Sequence, residues 1–189
     1  MEPITLSAPG LVLRPPGPHD LGAVTAACQD PEIQRWIPLP VPYAEADAAD
    51  FVLGASETGW LAGTTCTWAI EREGRFAGVV SLDAIRDGSA SIGYWVAAHA
   101  RGRGTMTTAA GAVLDLAFDA AGPGLGLRRV EWRAAVGNAA SAAVAQHLGF
   151  RYEGTARSSG VLRGRRTDEW VAGLLDTDAR RRLRWPGFG

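Results

Sequence analysis

The chain has 189 residues, 47% hydrophobic and 21% charged, which is enough for one domain with its own core. A formal net charge of −1 leaves no global basic field for nucleic acid, and no apolar run approaches membrane-spanning length. The two cysteines, Cys28 and Cys66, lie far apart without metal-ligand spacing, so neither a disulfide scaffold nor a metal site is expected. The N-terminus lacks the charged and apolar regions of a leader, and free thiols suit a reducing compartment, so a cytoplasmic protein is expected.

Residues 11–14 alternate weakly and stop at Pro15-Pro16, which predicts a short first strand. Asp20 is placed to cap a helix running to Cys28. Asp30-Pro31 marks a break, and the proline-rich residues 33–42 suggest a turn of helix and a loop in which Trp36 could wall a pocket. Ala48, Phe51, Val52 and Ala55 share one helical face within residues 44–61. Residues 65–71, 75–82 and 90–96 read as three strands, joined by turns at 71–74 and 87–89. Apolar residues from Met106 to Ala121 recur at i, i+3, i+4, i+7, the clearest helix of the chain, ending in Gly122-Pro123-Gly124.

Val130, Trp132, Ala134 and Val136 share one face of a strand over residues 129–136, with Glu131 and Arg133 on the other. Asn138 is a natural N-cap for a helix over 139–147, and Gly149 a left-handed C-cap. Residues 151–157 and 166–175 read as closing strands joined through 158–165, followed by a short basic tail. This order predicts a single α/β domain over residues 1–189, core about 11–175, with a mixed, mostly antiparallel sheet flanked by helices.

Between the strand at 90–96 and the long helix lies Arg101-Gly102-Arg103-Gly104-Thr105-Met106. Glycines there let backbone approach a ligand, and the helix start offers unpaired N–H groups and the positive end of a dipole. The two arginines add phosphate donors, so the stretch reads as a pyrophosphate cradle.

That stretch, followed in order by a long helix, a strand, Asn138-Ala139-Ala140-Ser141 and Leu148-Gly149-Phe150, resembles the GCN5-related N-acetyltransferase (GNAT) superfamily. Ala77-Gly78-Val79-Val80-Ser81, Ile92-Gly93-Tyr94-Trp95 and Arg151-Tyr152-Glu153-Gly154 are similar to its RimJ/RimL branch, which acetylates protein N-termini. The resemblance implies acetyl-CoA as cosubstrate, with its pyrophosphate on the backbone of Arg101 to Met106 and added charge from Arg101 and Arg103. It implies that backbone near Trp95 and Val96 pairs with the pantetheine, that Asn138 bonds the same arm, and that Ser141 steadies the departing thiolate. The acceptor amine would enter from the opposite side of the splayed sheet, past Trp36.

Such chemistry needs a neutral amine, hence a proton acceptor, and no metal or covalent enzyme nucleophile. The sequence departs from the superfamily pattern where that acceptor and the usual acid would lie. Ala145 stands in place of a common tyrosine, and Ser91, Thr108 and Gly160 in place of glutamates. Ser141 becomes the expected donor and Glu131 the candidate base, with Asp83, Asp168, Glu169 and ordered water as alternatives. The expected acceptor is a primary amine, a protein N-terminus or a small molecule, and exposed strand edges would suit a homodimer. The rival readings are another acyl donor such as succinyl-CoA, selected by Arg133 or Arg157, and a non-catalytic CoA-sensing module.

Overall fold

Three two-residue turns fold most of the sheet. Glu73-Gly74, Asp87-Gly88 and Arg163-Gly164 each place both central residues at positive φ, the backbone twist that closes tight antiparallel hairpins. The computed structural model describes residues 1–188. Its strands are β1 (Leu6–Ala8), β2 (Leu11–Arg14), β3 (Cys66–Arg72), β4 (Arg75–Arg86), β5 (Ser89–Val96), β6 (Arg129–Ala135), β7 (Arg151–Leu162) and β8 (Arg165–Leu175). They form one sheet in the order β1-β2-β3-β4-β5-β6-β8-β7. Every neighbouring pair is antiparallel except β5–β6, which are parallel and joined by the crossover helix α5 (Thr105–Phe118).

The remaining helices are α1 (Leu21–Cys28), α2 (Pro31–Trp36), α3 (Glu45–Ala49), α4 (Glu57–Ala62) and α6 (Ala139–Leu148), with a π-helical segment, Asp50–Ser56, continuing α3 into α4. The larger core packs α5 and α6 on the sheet through residues such as Ala109, Val113, Ala145, Val80, Leu82 and Trp132. A smaller cluster of Val24, Cys28, Tyr43, Ala48 and Val52 covers Phe76 and Trp95. Strand alternation sends Ile92 and Tyr94 to the first core and Trp95 to the second, so the clusters lie on opposite faces of the sheet. Both cysteines are free and buried. Among the described residues, no helix is long and apolar enough to cross a membrane.

Several expectations are corrected. A three-residue β1, too short for a periodic signal, pairs with β2 at the sheet edge. Asp20 does not cap α1; its carboxylate turns inward to Arg14 and the Gly17 N–H. The long helix stops at Phe118, because the chain folds back with Leu125 and Leu127 N–H groups on its last carbonyls. Val136 lies past the end of β6 and is 45% exposed rather than on the buried face. Residues 158–162 continue β7 through a bulge instead of forming a loop. The basic tail is a packed strap: Trp185 donates its indole N–H to Phe150 O at 2.8 Å and packs against Trp132 and Tyr152.

Candidate active site

β5 and β6 stay paired only from Ser89↔Arg129 to Ile92↔Trp132. Beyond that point β5 runs on to Val96 beside β4 while β6 runs to Ala135 beside β8, and the sheet opens as a wedge. Two cavities occupy the opening. One, of about 470 Å³, is lined by Trp95, Val96, the loop into α5 and the near side of α6. The other, of about 190 Å³, is lined by Gly93, Trp132, Arg133 and the β7–β8 hairpin. They share Trp36, Ile37, Tyr94, Asn138 and Ser141. A larger cavity of about 560 Å³ lies by α1 and the β3–β4 turn, but it holds none of the predicted site residues. Three of its wall charges pair with one another, Arg14 with Asp20 and Glu71.

The loop into α5 is held from beneath. Thr105 is buried and donates its hydroxyl to Ala100 O at 3.1 Å. Arg72, from the end of β3, donates to Arg103 O at 3.2 Å and to Thr105 Oγ1 at 3.1 Å. Gly102 and Gly104 take φ of 71° and 70° in open space, so their need for glycine is conformational. Helix α5 then begins at Thr105, and its first-turn N–H groups lack intrahelical acceptors. Met106 contributes backbone to the loop while its side chain is buried in the core.

Arg101 lines the larger of the two wedge cavities, but its guanidinium is divided between Asp30 at 2.5 Å and Val96 O at 3.2 Å. Arg103 is exposed and lines neither cavity. An anion on this loop would therefore meet its N–H groups more than its two arginines. Asp30 also caps α2, accepting the Glu32 N–H at 2.9 Å. That helix delivers Trp36, whose ring edge lies 3.6 Å from where a Cβ on Gly137 would stand, across the mouth of the wedge.

At the junction, Asn138 Oδ1 accepts the Ser141 N–H at 3.2 Å, the expected N-cap of α6. Trp132 donates its indole N–H to Ser141 Oγ at 3.0 Å, and Tyr94 donates its hydroxyl to Ser141 O at 2.9 Å. Burial pushes the Tyr94 phenol above its ordinary range, against the opposing pull of its bonds to Ser141 and Trp132, so it stays a neutral donor. Tyr94 was not among the predicted site residues; its face was legible from strand parity, but its hydroxyl partner sits on a helix far along the chain. Ala145, which stands in place of the tyrosine common in the superfamily, is sealed in the core.

Glu131 is drawn away from the wedge. Its oxygens meet Arg133 Nε at 2.6 Å and Arg129 at 3.5 Å, and it lines neither cavity. Arg129 continues the ladder to Glu153, and that hydrogen bond holds the Glu153 carboxyl below its usual range. Asp83 lies across from Ser91, and burial raises its carboxyl despite a hydrogen bond from Ser81. Arg133 lines the smaller cavity with its charge already paired to Glu131, while Arg157 lines neither. Among the described residues, no group of three or more His, Cys, Asp or Glu is placed to hold a metal ion.

The family profile described as "Acetyltransferase (GNAT) domain" matches residues 10–151. The predicted ribosomal N-acetyltransferase YdaF of Bacillus subtilis strain 168 is 37% identical over 105 residues. That match takes in 54% of this chain and 55% of YdaF, so the chain spans little more than half the length of this curated relative. Mycobacterium smegmatis RimJ, solved with CoA-disulfide, superposes with a TM-score of 0.80 at 26% identity, covering 92% of this chain and 86% of that one. An acetyl transferase from Salmonella typhimurium that modifies the N-terminal serine of ribosomal protein L7/L12 gives a TM-score of 0.79 at 24% identity, covering 92% and 99%, a likeness of fold.

Proposed function

Because the chain belongs to the GNAT acetyltransferase family, we propose that it transfers the acetyl group of acetyl-CoA to a primary amine by direct attack on the thioester. The observation that carries this reading is the pair of cavities meeting at Ser141. One cavity, of about 470 Å³, has the helix-start N–H groups to suit a phosphate-bearing donor, and the other, of about 190 Å³, offers room for a small nucleophile.

The residues present fit acetyl-CoA. The loop from Arg101 to Met106 would hold the pyrophosphate on its backbone, with Arg72 and Thr105 keeping the loop in shape. The free edge of β5 at Trp95 and Val96, opposite its pairing with β4, would take the pantetheine amides. Asn138 would meet the same arm while capping α6. Ser141, its oxygen engaged by Trp132, keeps a proton to offer the sulfur as negative charge develops there. Trp36 would close the acceptor side.

A peptide α-amine, with pKa about 8, is partly neutral near pH 7, whereas a lysine-type amine near 10.4 is not. The modest proton-accepting equipment of the site supports a protein N-terminal α-amine or a small-molecule amine of similar basicity. Likeness to the ribosomal N-acetyltransferase YdaF adds support for a protein acceptor. The two buried free thiols suit a cytoplasmic enzyme. The long open edge of β7 suits a homodimer, which light scattering would test. The chain would act as one N-acetyltransferase domain over residues 1–189.

The test is CoA release with acetyl-CoA and succinyl-CoA against a panel of peptides, lysine and aminoglycoside amines. Turnover of acetyl-CoA with α-amine peptides is expected. A preference for lysine ε-amines or for succinyl-CoA would overturn the acceptor or donor assignment, and donor binding without turnover would favour a sensing module.

A further inference from the structure

An acceptor ammonium must lose a proton before its nitrogen can attack, and the lining of the acceptor-side cavity contains a single carboxylate, Glu169. Resting on the acyl-transfer reading above, we propose that Glu169 is the group that takes this proton.

Its position comes from strand register. β8 sets Glu169 opposite Ala135 of β6 on one side and Ala156 of β7 on the other, at the open end of the wedge. Ser159 donates its hydroxyl to Glu169 Oε2 at 2.7 Å, fixing one oxygen. The nearest cation, on Arg133, stands 3.9 Å from the same oxygen. Oε1 has no hydrogen-bond donor among the described residues. It lies over Gly160, where a Cβ would come within 2.9 Å of both Oε1 and the carboxylate carbon. The missing side chain at 160 is therefore what leaves room for this carboxylate.

The other candidates are placed differently. Both oxygens of Glu131 face arginines, Asp168 Oδ1 accepts the Ser158 N–H, and Asp83 is bonded to Ser81; none of the three lines the cavity. Ser141 and Glu169 are both cavity-lining groups, so proton removal and leaving-group support share one chamber. The step balances simply. The ammonium gives one proton to Glu169, which returns it to solvent. The freed nitrogen pair forms the C–N bond as the C–S bond breaks, and the second nitrogen proton ends on the thiolate.

The experiment compares wild type with Glu169→Gln on two acceptors: a short peptide with a free α-amine, and an amine of low basicity already neutral at the assay pH. The expected result is a fall in kcat of about 10²-fold at pH 7 for the peptide. That loss should shrink as rising pH neutralises the peptide amine. The low-basicity amine and the KM for acetyl-CoA should change by less than about threefold. Gly160→Ala, which keeps the glutamate but crowds Oε1, should reproduce the selective loss. Equal losses on both acceptors, or none, would overturn the assignment while leaving the acyl-transfer reading intact. Wild-type enzyme that releases no CoA with either acceptor would overturn both.

Discussion

Trp132 holds Ser141 by donating its indole N–H to the serine Oγ at 3.0 Å. A serine hydroxyl has one proton and two lone pairs. With a lone pair tied to a rigid buried indole, the proton must point away from that ring, while Tyr94 donates its own hydroxyl to Ser141 O. Ser141→Ala should lower kcat by about 10²-fold with little change in donor KM. Trp132→Phe should lower kcat by about tenfold, near the upper end of one net hydrogen bond. In the Ser141→Ala background, Trp132→Phe should cost stability but no further kcat. CoA-release kinetics on the four proteins of this double-mutant cycle check it, and additive kcat losses would count against the arrangement.

The loop into α5 makes a separate prediction about the donor. Gly104 sits at φ 70° with nothing within 4 Å of an added Cβ. A methyl there meets no neighbour, so Gly104→Ala acts through the backbone alone, at a cost of about 1–2 kcal/mol in the left-handed region. The loop should relax its N–H array rather than lose a contact. The expected outcome is a donor KM raised about tenfold, with kcat at saturating acetyl-CoA nearly unchanged. Initial-rate kinetics over donor concentration measure both.

Much of this architecture was legible from local pattern. The alternation around Trp132, the 3.6-residue stripe from Met106 to Ala121 and the glycine-arginine loop are short-range signals, and β6, α5 and the turn into α5 follow from them. What was hidden depends on register between distant segments. Parity put Glu131 on the face opposite Trp132, but only the β6–β8–β7 pairing shows it spent on an arginine ladder. Arg101 read as a phosphate donor, yet Asp30, far away in sequence, claims its charge. The basic tail carries no periodic signal, so the place where Trp185 packs, only 4% exposed, depends on partners far along the chain.

Acid should probe the Arg14–Asp20 pair. Burial would raise the Asp20 carboxyl, but the Arg14 guanidinium and the Gly17 N–H outweigh it and hold it below the usual carboxylate range. A lowered folded pKa means that the pair's contribution is present above the unfolded value near 3.9 and is lost as pH falls through the folded value. Asp20→Asn should therefore flatten the stability profile below about pH 4, read by chemical denaturation. Arg14→Met, which strands a buried carboxylate, should cost about 3–5 kcal/mol at neutral pH. For a chain of this size that is a Tm lower by roughly 10 °C.

Asp30 performs two tasks with one carboxylate, and they can be separated. Oδ1 caps α2 through the Glu32 N–H, and Oδ2 meets Arg101 on the donor loop. Asparagine keeps a capping oxygen but gives up the ion pair, whereas alanine gives up both. Losing the cap costs about 1 kcal/mol, or about 2–4 °C in Tm for a chain of this size. Asp30→Ala should show that drop and Asp30→Asn should show less of it. Both should raise the donor KM by a similar few-fold factor, as should Arg101→Ala, because each breaks the same tie between the loop and α2. Calorimetry and donor kinetics on the three variants resolve the two roles. A donor KM that tracked Tm across the series would mean that Asp30 acts on the site only through the stability of α2, with no separate hold on the loop.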